Sequence, residues 1–371
     1  LPPLDSALPL TFSLVRDLED ARGAIGELAG VGRMLPNPHL LIRPFIQREA
    51  VSSSRIEGTI TRLDQLFLFE AEPDQIAHPD DVEEVRNYVL ASEHGLKLIR
   101  EGMPLSLRLL RETHRVLMDG VRGGNKRPGE FRPCDVRIGK TSESWNDSRF
   151  VPAGHMALPP LLADFERFLN TPSDRPIVVD LALMHYQFEA IHPFLDGNGR
   201  IGRLLFVLML CARGLLLQPL LYLSDYLERN DEEYRDHLLA VSRSGAWAEW
   251  VRFVARGIVE QARDAATRAG RLLDLWREYQ RLVGSLTRAA AAVRLIDLLF
   301  THPFITIPTA AGFLNQTYPA AQNNVEKLVQ AGILQERNGS ASPRVFVAAD
   351  ILRLLDEPLS AGEASKEPRT Q

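Results

Sequence analysis

The stretch His192-Pro193-Phe194-Leu195-Asp196-Gly197-Asn198-Gly199-Arg200-Ile201-Gly202-Arg203 stands between two apolar helical patterns, Val178 to Ile191 before it and Ile201 to Leu217 after it. It reads as a tight loop joining two interior helices. Gly-Asn-Gly permits positive φ at successive residues, which turns several backbone N–H groups toward one point and makes an anion-binding nest. A helix starts at once, and its positive dipole end favours phosphate at the same place. Arg200 and Arg203, three positions apart in the first turns of that helix, both lean over the loop as charge-assisted donors to phosphate oxygens. Asp196 offers a hard carboxylate suited to Mg²⁺ that keeps most of its waters and bridges phosphates. His192, with an ordinary pKa of about 6.5, is the natural base for a hydroxyl at neutral pH. Phe194 reads as an apolar anchor that pins the loop. A lone G-N-G is usually only a turn, but two arginines and an aspartate beside a buried loop are costly without something to compensate them. The whole segment points to phosphate chemistry.

Working outward, the pattern is mainly α. Residues 1–104 form an N-terminal helical region, with Leu14-Val15-Leu18 and Val82-Val85-Val89 at helical spacing and Gly102-Met103-Pro104 closing it. Residues 105–245 read as a helical core interrupted by a β-rich insert at roughly 128–152. There Asp135-Val136-Arg137-Ile138-Gly139 alternates like a strand of an exposed hairpin. Residues 246–285 are rich in Arg, Ala, Leu and Glu and predict a long connecting helix. In 286–356, helices at Ala289 to Phe300, Pro308 to Leu314 and Tyr318 to Ala331 precede short strands at Ile333-Leu334 and Arg344 to Val347 around Asn338-Gly339. That order suggests a winged-helix-like domain. The tail, 357–371, has little to bury and is expected to be disordered.

Composition agrees with a folded, multi-domain chain: 371 residues, 45% hydrophobic, 25% charged, with 25 Gly and 24 Pro. Net charge is −5, so nothing global favours nucleic acid or an anionic membrane, and any anion site is local. The longest apolar run, Leu204 to Ala212, is nine residues, far below the roughly 20 that cross a bilayer. The opening Leu1-Pro2-Pro3-Leu4-Asp5 has no basic-then-apolar pattern, so no signal peptide is expected. Cys134 and Cys211, 77 positions apart, form no metal or redox motif; a reducing, cytoplasmic setting is expected.

Residues 192–203 resemble the defining loop of the Fic family, H-x-F-x-D-G-N-G-R-x-x-R, at every specified position, and His185-Tyr186-Gln187-Phe188-Glu189-Ala190-Ile191 resembles that family's central helix. The resemblance implies a Fic helical core with a small β-hairpin flap. It further implies a protein adenylyltransferase that moves AMP from ATP to a Ser, Thr or Tyr hydroxyl of a target protein and of itself, using Mg²⁺. Carried over by position, His192 is the base and Asp196 the magnesium ligand. Gly197, Asn198, Gly199 and Arg200 hold the nucleotide phosphates, Ile201 and Gly202 continue that nucleotide-binding turn, and Arg203 takes the γ-phosphate. Upstream, Ser53-Ser54-Arg55-Ile56-Glu57-Gly58 resembles the family's inhibitory motif (S/T)-x-x-x-E-(G/N). Ser53 and Glu57 lie one turn apart on a helix face, which Gly58 can end. In the family this glutamate pairs with the second motif arginine, here Arg203, and restrains the enzyme. The insert corresponds to the flap that holds the target as an added strand, with Val136 and Ile138 as contacts and Arg137 and Lys140 guarding its edge. For the adenine, Leu221 to Tyr226 and Asn230 to Leu238 resemble the distal pocket segment. Relatives carry paired tyrosines where this chain has Tyr234-Arg235, so Arg235 would stack on the base as a cation, while Tyr222 and Tyr226 serve equally well as packing.

Three other readings compete on the residues. The same site run in reverse would make a de-AMPylating phosphodiesterase. His185, Glu189 and His192 fall on one helical face with a spacing that can bind zinc, though no pair matches H-E-x-x-H and the glycine nest would be purposeless. A winged-helix regulator would read DNA through Gln322, Asn323 and Asn324. Yet residues 301–350 hold only Lys327, Arg337 and Arg344 against Glu326, Glu336 and Asp350, so protein docking or dimerisation fits that region better than phosphate neutralisation.

Overall fold

The structure is a computed structural model. It describes residues 8–34, 39–76, 79–122, 124, 126–139, 149–286, 290–337 and 343–357. Lys140, the Asn338-Gly339 turn and the tail from 358 lie outside them.

The described chain is mainly helical. Four helices precede the core: α1 (Phe12–Met34), α2 (His39–Ile56), α3 (Leu63–Ala71) and α4 (Pro79–Arg100). The core holds α5 (Leu107–Leu117), α6 (Leu158–Asn170), α7 (Ile177–Ile191), α8 (Asn198–Ala212), α9 (Ser224–Arg229) and α10 (Asp231–Ser244). After them come α11 (Trp247–Leu286), α12 (Ala290–Thr301), β1 (Phe304–Thr306), α13 (Ile307–Leu314), α14 (Tyr318–Gln330), β2 (Gln335–Glu336), β3 (Val345–Val347) and α15 (Ala349–Asp356).

Helix α8 is buried almost all round, from Ile201 to Leu210, and such a helix belongs at the centre of a domain. It packs on α7, α4 and α5. Since α7 and α8 are joined only by residues 192–197, their apolar faces force that connection into the interior. Helix α2 is braced by α4, α9 and α12. Its Glu49 is buried and accepts from Tyr88 Oη at 3.1 Å and from the Ser224 N–H at 3.2 Å, with the Ser224 hydroxyl as a further donor. These bonds tie α2 to α4 and α9, so the chain leaving α2 enters the core at a defined point.

The structure refines several expectations. Helix α11 is more than a connector: it lies along α1 and packs on α7. Its Trp250 and Phe253 are fully buried, and Trp250 Nε1 donates to Ala182 O at 2.8 Å. Of the expected hairpin, with Asp135–Gly139 as one strand, the described residues show one antiparallel bridge between Ile138 and Phe150, and 140–148 lie outside them. The C-terminal sheet gains β1, giving the antiparallel order β1-β3-β2. Finally, Asn324 is buried and donates to Gln316 Oε1 and Ala320 O, both at 3.0 Å, Gln322 donates to Glu326 at 2.8 Å, and Arg344 grips Glu336. Of the side chains proposed to read DNA, Asn324 is thus spent within the domain and Gln322 bonds along its own helix, while Asn323 is exposed. No helix among the described residues is long and apolar enough to cross a membrane.

Candidate functional site

Helix α7 ends because Pro193 disfavours the helical region for the residue before it. His192 takes φ 50°, ψ 61°, a left-handed conformation that costs a non-glycine residue about 1–2 kcal/mol. Arg132, its side chain fully buried, compensates. Its Nε donates to His192 O at 2.9 Å and its Nη2 to Ile191 O at 3.3 Å. The same guanidinium donates to Cys134 O at 2.8 Å and to Ala153 O, so one side chain joins the His192 turn to both stems of the insert.

The loop is closed from inside. Asn198 Oδ1 accepts from Phe194 N–H at 2.8 Å and Asn198 Nδ2 donates to Phe194 O at 2.9 Å. Phe194 is fully buried and stacks on His114 with 3.8 Å between ring centroids. His114 Nδ1 accepts from Gly129 N–H at 2.8 Å, so its Nε2 carries the proton and donates to Asp196 O at 2.9 Å. Burial lowers His114 to about 4, which keeps this neutral arrangement in place. Replacing Phe194 by Ala removes a fully packed ring at an expected cost of about 3–5 kcal/mol. Urea unfolding measures it, and an unchanged midpoint would mean that the stack does not hold the loop.

Only Gly197 of the two loop glycines has positive φ, 75°. Gly199 already lies in α8, and its lack of a side chain serves another purpose: a methyl there would overlap Glu57 Oε1. The Glu57 carboxylate therefore rests against the first turn of α8, where the sequence predicts phosphate. Arg203, its side chain 2% exposed, donates to Glu57 Oε1 at 2.7 Å, to Ser53 Oγ at 2.8 Å and to Ser53 O at 2.9 Å. Burial opposes both charges, but the pairing prevails: Glu57 is held below the usual carboxylate range and Arg203 above its ordinary value. Glu57 sits one residue beyond α2, not on its face, because Gly58 (φ 89°) ends the helix.

A cavity of about 160 Å³ is lined by Glu57, Ile138, Arg149, Phe150, Glu189, His192, Gly199, Arg203, Tyr234, Arg235 and neighbouring side chains. His192, Glu57, Gly199, Arg203, Arg235 and Ile138 are thus brought together as predicted, whereas Val136 is half-buried and outside the lining. Arg200 is a correction. Fully buried, it donates to Glu84 Oε1 at 2.6 Å, keeps its other terminal nitrogen 3.8 Å from Asp196 Oδ1 of the loop, and lies outside the cavity lining. Glu84 is a buried carboxylate on α4 that takes Arg200 on one oxygen and Arg122, at 3.4 Å, on the other. The Asn198 amide is likewise engaged with Phe194, and Ile201 is core. A methyl at Gly202 would overlap Glu189 Oε1. Tyr222 and Tyr226 pack away from the cavity. Arg235 is held by Asp231 at 2.8 Å.

His185 is spent in the interior: Nδ1 donates to Gly202 O at 3.1 Å and Nε2 accepts from Tyr234 Oη at 2.8 Å. It has no lone pair left for zinc, and among the described residues no three His, Cys, Asp or Glu side chains gather as a metal site. Asp196 keeps its carboxylate one-third exposed, with Lys126 Nζ at 3.0 Å and Gly197 N–H donating at 2.7 Å. Burial opposes its ionisation, yet Lys126 and the Gly197 N–H hold its pKa down. An ionised single carboxylate already facing a cation fits Mg²⁺, which takes one or two carboxylates and fills its shell with water and phosphate. Arg132, His114, Glu84 and Lys126 escaped the sequence reading, since each reaches its partner across 60 to 116 positions and local spacing carries no trace of such contacts.

Known proteins share these features. The family model described as Fic/DOC family N-terminal matches residues 15–97, and that described as Fic/DOC family matches 104–210. Proteins named protein adenylyltransferase Fic from Drosophila ananassae and Drosophila grimshawi are 30% and 29% identical over 178 residues, 46% of this chain and 32% of theirs. The chain therefore spans about a third of the length of the curated relatives it matches. The crystal structure of a Fic family protein from Desulfovibrio desulfuricans is similar with TM-score 0.59 and 20% identity, over 92% of this chain and 97% of that one. A Fic domain containing signaling protein from Bacteroides thetaiotaomicron gives 0.52 and 20%, over 68% and 97%. These likenesses show the fold. The two family models together take in just over half of the chain and contain the loop, the helix before it and Glu57, so the chain belongs to the Fic/DOC family.

Proposed function

We propose that the protein is an adenylyltransferase that moves AMP from ATP to a Ser, Thr or Tyr hydroxyl of a target protein, or of itself, and that Glu57 restrains it. One observation carries the reading: the Glu57 carboxylate lies on Arg203 and against Gly199 at the start of α8, in the same cavity as His192. An acidic group there stands where a nucleotide phosphate would bind, so the brake and the substrate compete for one place. The names of the curated relatives support the same chemistry.

In the released state, the amides at the start of α8 and the Arg203 guanidinium align the triphosphate. The target hydroxyl, guided along the insert at Ile138, attacks the α-phosphorus in line. His192 takes its proton, the bond from phosphorus to the bridging oxygen breaks, and pyrophosphate leaves. Burial lowers His192 to about 4, so its ring is neutral and able to accept at neutral pH. Mg²⁺ held by Asp196 would neutralise phosphate charge. Intact-mass measurement of the Glu57→Gly variant after incubation with ATP, GTP, CTP or UTP and Mg²⁺ tests the proposal. One added adenylyl group, with ATP alone, is expected. An unchanged mass, or preference for another nucleotide, overturns the adenylyl assignment.

A further inference from the structure

Two side-chain atoms in the cavity make no close hydrogen bond: Glu189 Oε1 and His192 Nδ1, the ring having only the Glu189 main-chain carbonyl as a weak acceptor nearby. They belong to residues one helical turn apart at the end of α7, with Glu189 Oε2 3.8 Å from His192 Nδ1 and both side chains largely buried, 12% and 20% exposed. An unpaired polar atom in such a place ordinarily costs stability, and this pair faces the point where a proton must be taken up. Glu189 is also given room: Gly202 lacks the methyl that would displace its Oε1. We propose that Glu189 is the positioning residue of His192, receiving the Nδ1 proton of the imidazole so that Nε2 presents its lone pair to the target hydroxyl. This inference rests on the proposed transfer reaction.

The proton balance is simple. Before reaction, Glu189 is a carboxylate and the neutral ring carries its proton on Nδ1. When the new O–P bond forms and the P–O bond to pyrophosphate breaks, the hydroxyl proton passes to Nε2. The imidazolium then shares its Nδ1–H with Glu189, and a movement of about 1 Å brings the pair to hydrogen-bond distance. With Glu189 protonated instead, the acid donates to Nδ1, the ring proton moves to Nε2, and the base is blocked. The same logic governs any histidine base oriented by an acid.

The surroundings determine which form prevails. Glu189 is faced by Arg203 from α8, Glu57 from the end of α2, and Tyr234, Arg235 and Arg149 around the cavity; Glu57, Arg132, the Glu189 main-chain carbonyl and Asp196 act on His192. Burial raises Glu189 to about 7, Arg203 opposes that rise and Glu57 adds to it. Glu57 in its blocking position therefore favours the protonated form of Glu189. Its departure removes an anion from the cavity and favours the carboxylate, so that one residue both occupies the phosphate place and disarms the base.

The test uses the full chain carrying Glu57→Gly, alone and combined with Glu189→Gln, Glu189→Ala or Glu189→Asp. Nitrogen-15 spectra of the imidazoles, with His192 assigned by its loss in His192→Ala, read the tautomer directly. The Glu57→Gly protein is expected to hold His192 with the proton on Nδ1 at pH 8, and the Gln and Ala variants to shift it to Nε2. In transfer assays the Gln and Ala variants are expected to lose kcat by about 100-fold, with KM for ATP unchanged and the acidic limb of the pH profile abolished, while Asp restores part of both. An identical tautomer, or an unchanged kcat and pH profile, in Glu189→Ala overturns the assignment. If Glu57→Gly itself transfers no AMP, the proposed function fails, and the tautomer spectrum still decides the role of Glu189.

Discussion

Glu57→Gly raises AMP transfer by about ten- to thirty-fold at saturating target. The restraint rests on the charge-assisted bond from Arg203 to Glu57 at 2.7 Å, a type worth roughly 1.5–3 kcal/mol. Glu57 is 36% exposed, so solvent screening places the value in the lower half of that range, and each 1.4 kcal/mol is about a factor of ten. Glycine removes the carboxylate without touching Ser53, which continues to hold Arg203 at 2.8 Å through its hydroxyl. The guanidinium is thus left aimed at the cavity and free to take phosphate. Helix α2 does not need to move, since Glu49 fastens it to α4 and α9 and Glu57 lies beyond its last turn. Rates measured with radiolabelled ATP check the prediction, and equal rates for wild type and variant at matched ATP would show that the pairing is no brake. Ser53→Ala is a useful companion: it frees one Arg203 donor while keeping Glu57, and its activity should stay near that of wild type.

His192→Ala, placed in the Glu57→Gly chain, abolishes transfer by about 10²–10⁴-fold, the usual worth of a positioned base, and leaves the dissociation constant for ATP nearly unchanged. The ring contributes the proton-accepting atom but no contact on which the anion nest depends. In the proposed reading the phosphates lie on Gly197, the first turn of α8 and Arg203, and the shape of that turn is kept by Asn198, Phe194 and His114. One complication is conformational, because His192 has φ 50° and alanine is poorly suited to that region. His192→Asn answers it, since asparagine tolerates the left-handed region and offers no base. Both variants should be inactive, with ATP binding by calorimetry intact. Activity retained in either would remove the assigned base.

What could be read from residue order alone was whatever depends on near neighbours. The loop of 192–203 declared itself because glycines, a proline and charged side chains between two apolar runs permit few conformations, and the long α11 followed from an unbroken helical composition. Pro193 bars a helical continuation at His192, whereas its left-handed φ of 50° is a tertiary outcome. The pairing of Glu57 with Arg203 was anticipated through a family motif, although the two residues are 146 positions apart.

Side-chain allegiance was another matter, because it is settled by which groups meet when distant helices pack. Arg200 and Arg203 look equivalent in the sequence, yet α4 presents Glu84 to one and α2 presents Ser53 and Glu57 to the other. Gly199 looked like a turn residue and proved to be a space for a carboxylate. Arg132, far from the loop in the chain, supports both the His192 turn and the insert. A buried charge must find an opposite charge or a hydrogen-bond partner, and residue order names the charges needing one. Packing in three dimensions chooses the partner, and so separates Arg203, which faces Glu57 in the cavity, from Arg200, which pairs with Glu84.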